Sequence, residues 1–209
     1  MARPPRRLLS REQIVTAAME LIDADGLAEF TTRKLAAALG VRGPSLYNYF
    51  ATKDEILDAV ANHVTSTVDI SMLGRTYWAD ALREWARSFR AALLEHPNII
   101  PFMAQGPGRR PAALAMADGV FGALVDAGWP AIRATWIGAL MRYYVTGSAL
   151  GSFALGFPAD PELYADRYPH LSQAHLLTEH QHQVDDGAFE LGLTALLDGL
   201  QQEYQRTVS

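Results

Sequence analysis

The residues in this sequence whose types are best suited to chemistry lie close together between positions 42 and 49. This stretch contains a guanidinium group at Arg42, hydroxyl groups at Ser45 and Tyr47, and an amide at Asn48. These groups donate hydrogen bonds to phosphate oxygens and contact the edges of bases, so they are suited to nucleic-acid binding. The stretch therefore predicts a surface that contacts DNA.

The sequence lacks the patterns of the common catalytic sites. It contains no cysteine, which excludes disulfide bonds, thiol nucleophiles and zinc sites with thiolate ligands. It has no GxSxG or HExxH motif and no glycine-rich loop that could hold a phosphate. The sequence predicts no cofactor and no metal site. An all-helical enzyme stays open as an alternative to a binding protein.

Helices must position the polar stretch, and the sequence marks where the first of them begin and end. Ser10 and Gln13 have the spacing of a capping box, which predicts the start of a first helix. Asp25-Gly26 ends that helix, and Thr31 or Thr32 caps a second one.

The second and third helices have the layout of a helix-turn-helix. Ala36 is small enough for close packing, and Gly40 permits a left-handed turn. Pro44 suits the first turn of the third helix, which we expect to extend to about Phe50. Lys53 begins a longer helix. An ordinary helical hairpin is the alternative that this pattern leaves open.

The charge distribution agrees with a DNA-binding N-terminal part. The whole chain carries a net charge of −5, but residues 1–53 carry +3 and the rest carries −8. A basic head on an acidic body favours contact of the head with a polyanion, although a chance fluctuation is the alternative.

The remaining sequence predicts further helices and no strands, so we expect an all-α protein of about nine to ten helices. We expect residues 1–9 to form a flexible basic arm, residues 10–56 the helix-turn-helix domain, and residues 57–209 a C-terminal ligand-binding and dimerisation domain. The apolar segment Trp136–Phe157 contains Arg142 and many glycines, so we expect a buried or interface helix and no membrane span. No signal peptide is recognisable, and a cytoplasmic location is expected.

Residues 10–60 resemble the DNA-binding domain of the TetR family of bacterial repressors. The resemblance rests on the run Leu46-Tyr-Asn-Tyr-Phe50 followed by Lys53 and Leu57. It implies that residues of the third helix lie at or near bases: Arg42, Gly43, Pro44, Ser45 and Tyr47. It implies phosphate contacts from Thr32, Arg33, Tyr47, Tyr49 and Lys53. Asn48 is added as an exposed polar residue of the same helix.

The rest of the chain resembles the C-terminal domain of the tetracycline-repressor branch of that family. The shared features include Arg110-Pro111 after a loop and Phe189-Glu-Leu-Gly192 in the last helix. In that branch the long helix and the last helix of two subunits pack as a four-helix bundle, so the resemblance implies a homodimer. The residues expected at this interface are Gly147, Gly151, Gly192 and Leu196. The alternative is that the glycines are tolerated within one chain.

Members of that branch bind their drug as a magnesium chelate, through a histidine before the Arg-Pro loop and with acidic help from the long helix. Here residues 102–108 contain no histidine and residues 127–159 contain no Asp or Glu. The oxygen ligands that Mg²⁺ prefers are therefore missing. We expect a small, largely apolar effector that binds without a metal.

The candidate ligand-binding residues are aromatic, thioether or polar groups on an apolar background. They are Phe89, Phe102, Met103, Phe121, Trp136, Met141, Arg142 and Tyr144. The alternative for each apolar position is the core, and for Arg142 an ion pair. His170, His175, His180 and His182 are expected on the surface or in a lid, with a metal or ligand contact as alternatives.

These features together predict a ligand-responsive transcriptional regulator. We expect it to act as a repressor that binds a palindromic double-stranded operator as a homodimer and is released by a small-molecule effector. Two alternatives stay open. The first is a DNA-binding dimer without an effector, and the second is an all-helical enzyme.

Overall fold

The computed structural model describes residues 9–106, 108–165 and 167–208. Within these ranges all regular elements are helical, which confirms the predicted all-α class. Ten α-helices are present there, connected in part by short 3₁₀ turns: α1 Arg11–Asp25, α2 Thr32–Ala38, α3 Gly43–Leu46, α4 Lys53–Ser66, α5 Trp78–Glu95, α6 Ile100–Met103, α7 Pro111–Asp126, α8 Ala131–Ala149, α9 Pro161–Tyr164 and α10 Gln181–Val208.

The helices belong to two compact units. The first unit contains Met1–Val68 and Ala91–Asp118, and the second contains Asp69–Arg90 and Gly119–Ser209. Helices α5 and α7 therefore contribute to both units. The expected division of the chain after residue 56 stays a prediction. The basic arm predicted for residues 1–9 lies, apart from Leu9, outside the described residues.

Helices α1 to α4 form the helix-turn-helix part of the first unit. The hydroxyl of Ser10 accepts a hydrogen bond from the backbone of Gln13, and the Gln13 side chain accepts one from the backbone of Ser10, which confirms the capping box. Ile14, Leu35 and Phe50 are buried from different elements. Burial of each such side chain contributes about 1.5–3 kcal/mol, so packing stabilises helices that are too short to be stable alone.

A tight turn separates α2 from α3. Gly40 has a φ of +65°, and the backbone of Val41 donates to the carbonyl of Ala36 at 3.0 Å. Helix α3 is shorter than expected, since it ends at Leu46 and does not continue to Phe50. The backbone amides of Tyr49 and Phe50 both donate to the Leu46 carbonyl, so a hydrogen-bonded turn replaces the last helical turn.

The second unit is built around the apolar side of α5. Trp78, Leu82, Trp85 and Phe89 are all buried, as their spacing predicts. The ring of Trp78 lies 5.5 Å from those of Trp129 and Tyr204, measured between centroids. This aromatic cluster joins the start of α5 to the segment before α8 and to the end of α10.

The structure corrects the extent of the long helix. Helix α8 ends at Ala149, so the prediction that Gly151 lies within this helix is wrong. Glycine destabilises a helix by about 1 kcal/mol per residue relative to alanine. Gly147 lies two residues before the end of α8 and Gly151 two residues after it, so both favour an end of the helix at this place. None of the helices in the described ranges is long and apolar enough to cross a membrane.

The structure also corrects the buried face of the last helix. Phe189, Leu193 and Leu197 of α10 are buried within the chain. The spacing of Leu191 from Val184 and Ala188 predicts an inner position for this leucine, but it is 74% exposed. Sequence periodicity left two apolar faces on this helix, and only packing distinguishes them.

Candidate nucleic-acid interface and effector region

A concave groove of about 410 Å³ lies between α2 and α3. The structure brings together five of the predicted DNA-binding residues along its walls: Thr32, Arg33, Gly43, Pro44 and Tyr47. Arg33 and Tyr47 are exposed, and Tyr47 retains 55% of its accessible surface. A guanidinium group and a phenol beside a small-residue helix start can approach a phosphate backbone and base edges.

The remaining predicted DNA-binding residues border this groove or follow it. Arg42 is the exposed residue that precedes α3, while Asn48 is exposed after it and Ser45 is half-buried within it. Lys53 is exposed at the first position of α4, with its Nζ 5.5 Å from the centroid of the Phe30 ring. These four residues therefore stay compatible with a DNA contact.

Tyr49 differs from the other predicted contacts because its hydroxyl has a partner within the chain. The half-buried Tyr49 hydroxyl donates a hydrogen bond to the backbone carbonyl of Leu9. A phosphate contact from this hydroxyl would compete with that bond.

Sequence reasoning assigned no role to Arg11, which the structure places against the end of the segment 42–49. One guanidinium nitrogen of Arg11 donates to the backbone carbonyl of Tyr49. The centre of the guanidinium group lies 4.0 Å from the centroid of the buried Phe50 ring. A charged residue in the first turn of a helix is usually solvated, so no sequence signal marked this contact.

The candidate ligand-binding residues fall into both units. Phe102 and Met103 belong to the first unit, where Met103 is buried and Phe102 is half-buried under the guanidinium group of Arg110. The other six belong to the second unit.

Within the second unit the candidates occupy different environments. Phe89 stacks on Trp85 with both rings buried, and Met141 is also buried. Phe121 of α7 packs against Gly138 of α8. Trp136 is 55% exposed on α8, whereas Arg142 is half-buried.

Tyr144 joins α8 to α10. Its ring stacks on Phe189 with centroids 5.6 Å apart, and its hydroxyl donates to the Phe189 carbonyl at 2.6 Å. Burial raises the pKa of the Tyr144 hydroxyl above its ordinary value of 10.0, so it is a hydrogen-bond donor at neutral pH. Gly192 on the facing helix leaves room for this hydroxyl.

A basic side of α5 faces an acidic side of α10. Arg87 forms two hydrogen bonds with Glu190, at 2.9 and 2.8 Å, and Arg90 pairs with Asp186 at 2.7 Å. The hydrogen bond from Arg87 lowers the pKa of Glu190 below its ordinary value of 4.5. Sequence reasoning missed these pairs, because the spacing of charges along one helix does not show which charges of a distant helix they meet.

Apolar side chains form an exposed stripe on α8. Ile132, Trp136, Leu140 and Tyr143 follow one another at steps of three or four residues and are all exposed. Gly147 continues this stripe and is exposed too. On α10, Leu191 is exposed, while Gly192 and Leu196 are half-buried.

The four histidines near the start of α10 do not form a metal site in the described part of the chain. His170 and His175 lie in separate 3₁₀ turns, His180 lies in the turn before α10, and His182 lies in α10. Across the described ranges no group of three His, Asp or Glu side chains could hold a metal ion.

Comparisons with known proteins cover nearly the whole chain. Residues 14–60 match the model for bacterial regulatory proteins of the tetR family, and residues 72–204 match the tetracyclin repressor-like C-terminal domain. The tetracycline repressor protein class C of Escherichia coli is 34% identical over 93% of this chain and 91% of its own length.

Two further similarities are with proteins of Saccharopolyspora erythraea and Streptomyces coelicolor. An HTH-type transcriptional regulator of Saccharopolyspora erythraea is 35% identical over 68% of this chain, and the match spans 60% of that protein. The Streptomyces coelicolor TetR family protein ActR, solved in complex with actinorhodin, is 27% identical with a TM-score of 0.74 and covers 94% of this chain and 98% of ActR. The chain therefore belongs to the TetR family of ligand-responsive, DNA-binding transcription regulators and is not an enzyme.

Proposed function

We propose that this chain is a cytoplasmic repressor that binds a palindromic operator as a homodimer and leaves it when a small organic effector binds. The observation that carries the proposal is the groove between α2 and α3, which brings Thr32, Arg33 and Tyr47 to one surface beside the exposed Arg42. A helix-turn-helix reads DNA by placing such a surface in the major groove.

A palindromic operator follows from the proposed dimer. Two copies related by a two-fold axis present two identical surfaces, which match two half-sites in successive major grooves. The exposed stripe on α8 and the exposed Leu191 on α10 support an interface there, since contiguous exposed apolar surface usually marks a protein contact. Gly147 is the interface candidate on the α8 stripe.

The presence of a glycine at position 192 has an explanation other than a dimer contact. Its lack of a side chain accommodates Tyr144 of the same chain, so its presence does not by itself support the dimer. Leu196 lies next to the buried positions of α10 and stays an interface candidate at its edge. Gly151 is a candidate only as a residue of the segment after α8.

We further propose that the effector binds the C-terminal domain without a metal ion. Residues 127–159 contain no carboxylate, and residues 102–108 contain no histidine. Aromatic and thioether side chains are available instead, among them Phe89, Phe121 and Met141 of the second unit. ActR, which was solved in complex with actinorhodin, supports a ligand-binding role for this domain.

The proposal is tested by selecting DNA with the purified protein from a random-sequence duplex library. We expect a palindromic site that binds two chains, as measured by sedimentation of the complex. The control is a variant with Arg33→Ala and Tyr47→Ala, which should enrich no sequence. Selection of a site without two-fold symmetry, or binding of one chain per site, would contradict the proposed dimeric mode.

A further inference from the structure

Four residues join the start of α1 to the end of residues 42–49, which we call the DNA-facing segment. Arg11 donates to the Tyr49 carbonyl, and the Tyr49 hydroxyl donates back to the Leu9 carbonyl. The Arg11 guanidinium group also covers the ring of Phe50, 4.0 Å from its centroid. We call these residues, Leu9, Arg11, Tyr49 and Phe50, the clamp.

The DNA-facing segment needs such a contact because it has little internal structure. Helix α3 contains four residues, and a helix of one turn is not stable on its own. Backbone carbonyl groups outside helices and strands need hydrogen-bond partners from side chains or water. Arg11 supplies the partner for the Tyr49 carbonyl, three residues after α3 ends.

We propose that Arg11 is a positioning residue for DNA recognition, which acts by holding the segment 42–49 through the clamp and not by binding phosphate. This inference rests on the proposed DNA-binding function. The guanidinium group is planar, so it can stack on Phe50 and donate in its own plane to Tyr49 at the same time. An ammonium group keeps the positive charge but cannot replace both contacts.

The two roles predict different responses of DNA binding to salt. A residue that neutralises one phosphate lowers the salt dependence of the association constant by about one unit when it is removed. A positioning residue leaves this slope unchanged and lowers the affinity for the specific site more than the affinity for random DNA. A positive charge is therefore sufficient for a residue that neutralises a phosphate, but it is not sufficient for a residue that positions the segment.

The experiment compares Arg11→Lys, Arg11→Gln and Tyr49→Phe with the parent protein. The probes are the duplex that the parent selects from a random library and a scrambled duplex of equal length. We expect both Arg11 variants to bind the selected duplex roughly tenfold more weakly, with an unchanged salt slope and a reduced ratio of specific to non-specific affinity. Arg33→Gln serves as the matched control, with a slope lower by about one unit.

Tyr49→Phe keeps the ring and removes one hydrogen bond, so it tests the clamp in a protein that remains folded. We expect a smaller loss of specificity, and a combined Arg11→Gln/Tyr49→Phe variant whose loss is less than the product of the two single losses. Thermal unfolding of each variant corrects the affinities for the folded fraction.

Other outcomes separate a failure of this inference from a failure of the proposed function. Parental binding by Arg11→Lys, with a lower slope for Arg11→Gln, would assign Arg11 to phosphate binding and overturn the inference. Parental affinity, slope and specificity in all three variants would overturn it as well. If the parent protein itself selects no DNA, the proposed function fails.

Discussion

The hydroxyl group of Tyr144 lies against Gly192, where α8 meets α10. A Cβ atom on Gly192 would stand 2.9 Å from Cζ of Tyr144, closer than carbon atoms pack. The tyrosine cannot easily move away, because its ring stacks on Phe189 and its hydroxyl donates to the Phe189 carbonyl at 2.6 Å. The missing side chain at Gly192 is therefore part of the packing between these helices.

Gly192→Ala should destabilise the protein even though alanine favours a helix. Overpacking against a fixed ring costs roughly 1–3 kcal/mol, which exceeds the helix-propensity gain of about 1 kcal/mol. The matched control is Gly187→Ala on the same helix. A Cβ atom there meets nothing within 4 Å, so this substitution should stabilise the protein. Urea unfolding at equal protein concentration measures both, and equal stabilisation by the two variants would contradict the close packing.

The ion pair between Arg87 and Glu190 should make stability depend on pH on the acid side. Its carboxyl has a pKa below the ordinary 4.5 in the folded chain, so the pair stabilises the fold above pH 4.5 and loses this contribution as the pH falls through the lowered pKa. Both side chains are partly exposed, which limits the contribution to about 1 kcal/mol or less.

Glu190→Gln tests this dependence. We expect the variant to be less stable than the parent at neutral pH and equally stable well below pH 4.5, measured as the difference in free energy of unfolding. Glu203→Gln is the control, because Glu203 pairs with Arg206 within one helix. A difference for Glu190→Gln that persists unchanged into acid would show that the ion pair does not cause it.

Arg42 and Lys53 should contribute to DNA binding in different ways. If Arg42 reads a guanine, Arg42→Ala weakens operator binding by roughly 1–3 kcal/mol and relaxes the sequence preference. Lys53→Ala weakens binding to all duplexes and lowers the salt slope by about one unit. Fluorescence anisotropy at several salt concentrations distinguishes these effects. Arg206→Ala, an exposed arginine on α10, should leave both quantities unchanged.

The proposed dimer interface predicts that a charge on the exposed face of α10 separates the subunits. Leu191→Glu places a carboxylate where an apolar contact is proposed, so we expect monomers in sedimentation analysis and weaker operator binding. Leu94→Glu alters an exposed leucine of α5 and should leave the dimer intact. A Leu191→Glu protein that remains fully dimeric would place the interface elsewhere.

The effector should release operator DNA without a metal ion. A library of aromatic organic compounds can be screened for release of a labelled operator, with EDTA present or absent. We expect active compounds to keep their potency in EDTA, since residues 127–159 offer no carboxylate ligand. Loss of release in EDTA would contradict this and direct attention to the histidines between residues 170 and 182.

Local sequence signals predicted much of the helix-turn-helix correctly. The capping box at Ser10, the glycine turn at Gly40 and the proline at the start of α3 depend on neighbouring residues and on backbone geometry alone. The exposure of Arg42, Tyr47 and Asn48 followed from the same local pattern, whereas Ser45 is half-buried. These features need no long-range contact, which is why the sequence was sufficient for them.

The sequence by itself determined where most of the longer helices lie and that they carry apolar faces, and the tertiary structure decided where several of them end and what each face meets. The spacing of α10 was compatible with either of two apolar faces, and only packing buried Phe189 and exposed Leu191. Arg11 found its partner Tyr49 38 residues away, and Gly192 faced Tyr144 across two helices. Periodicity records the environment of a side chain, whereas its partner depends on where distant segments come together in three dimensions.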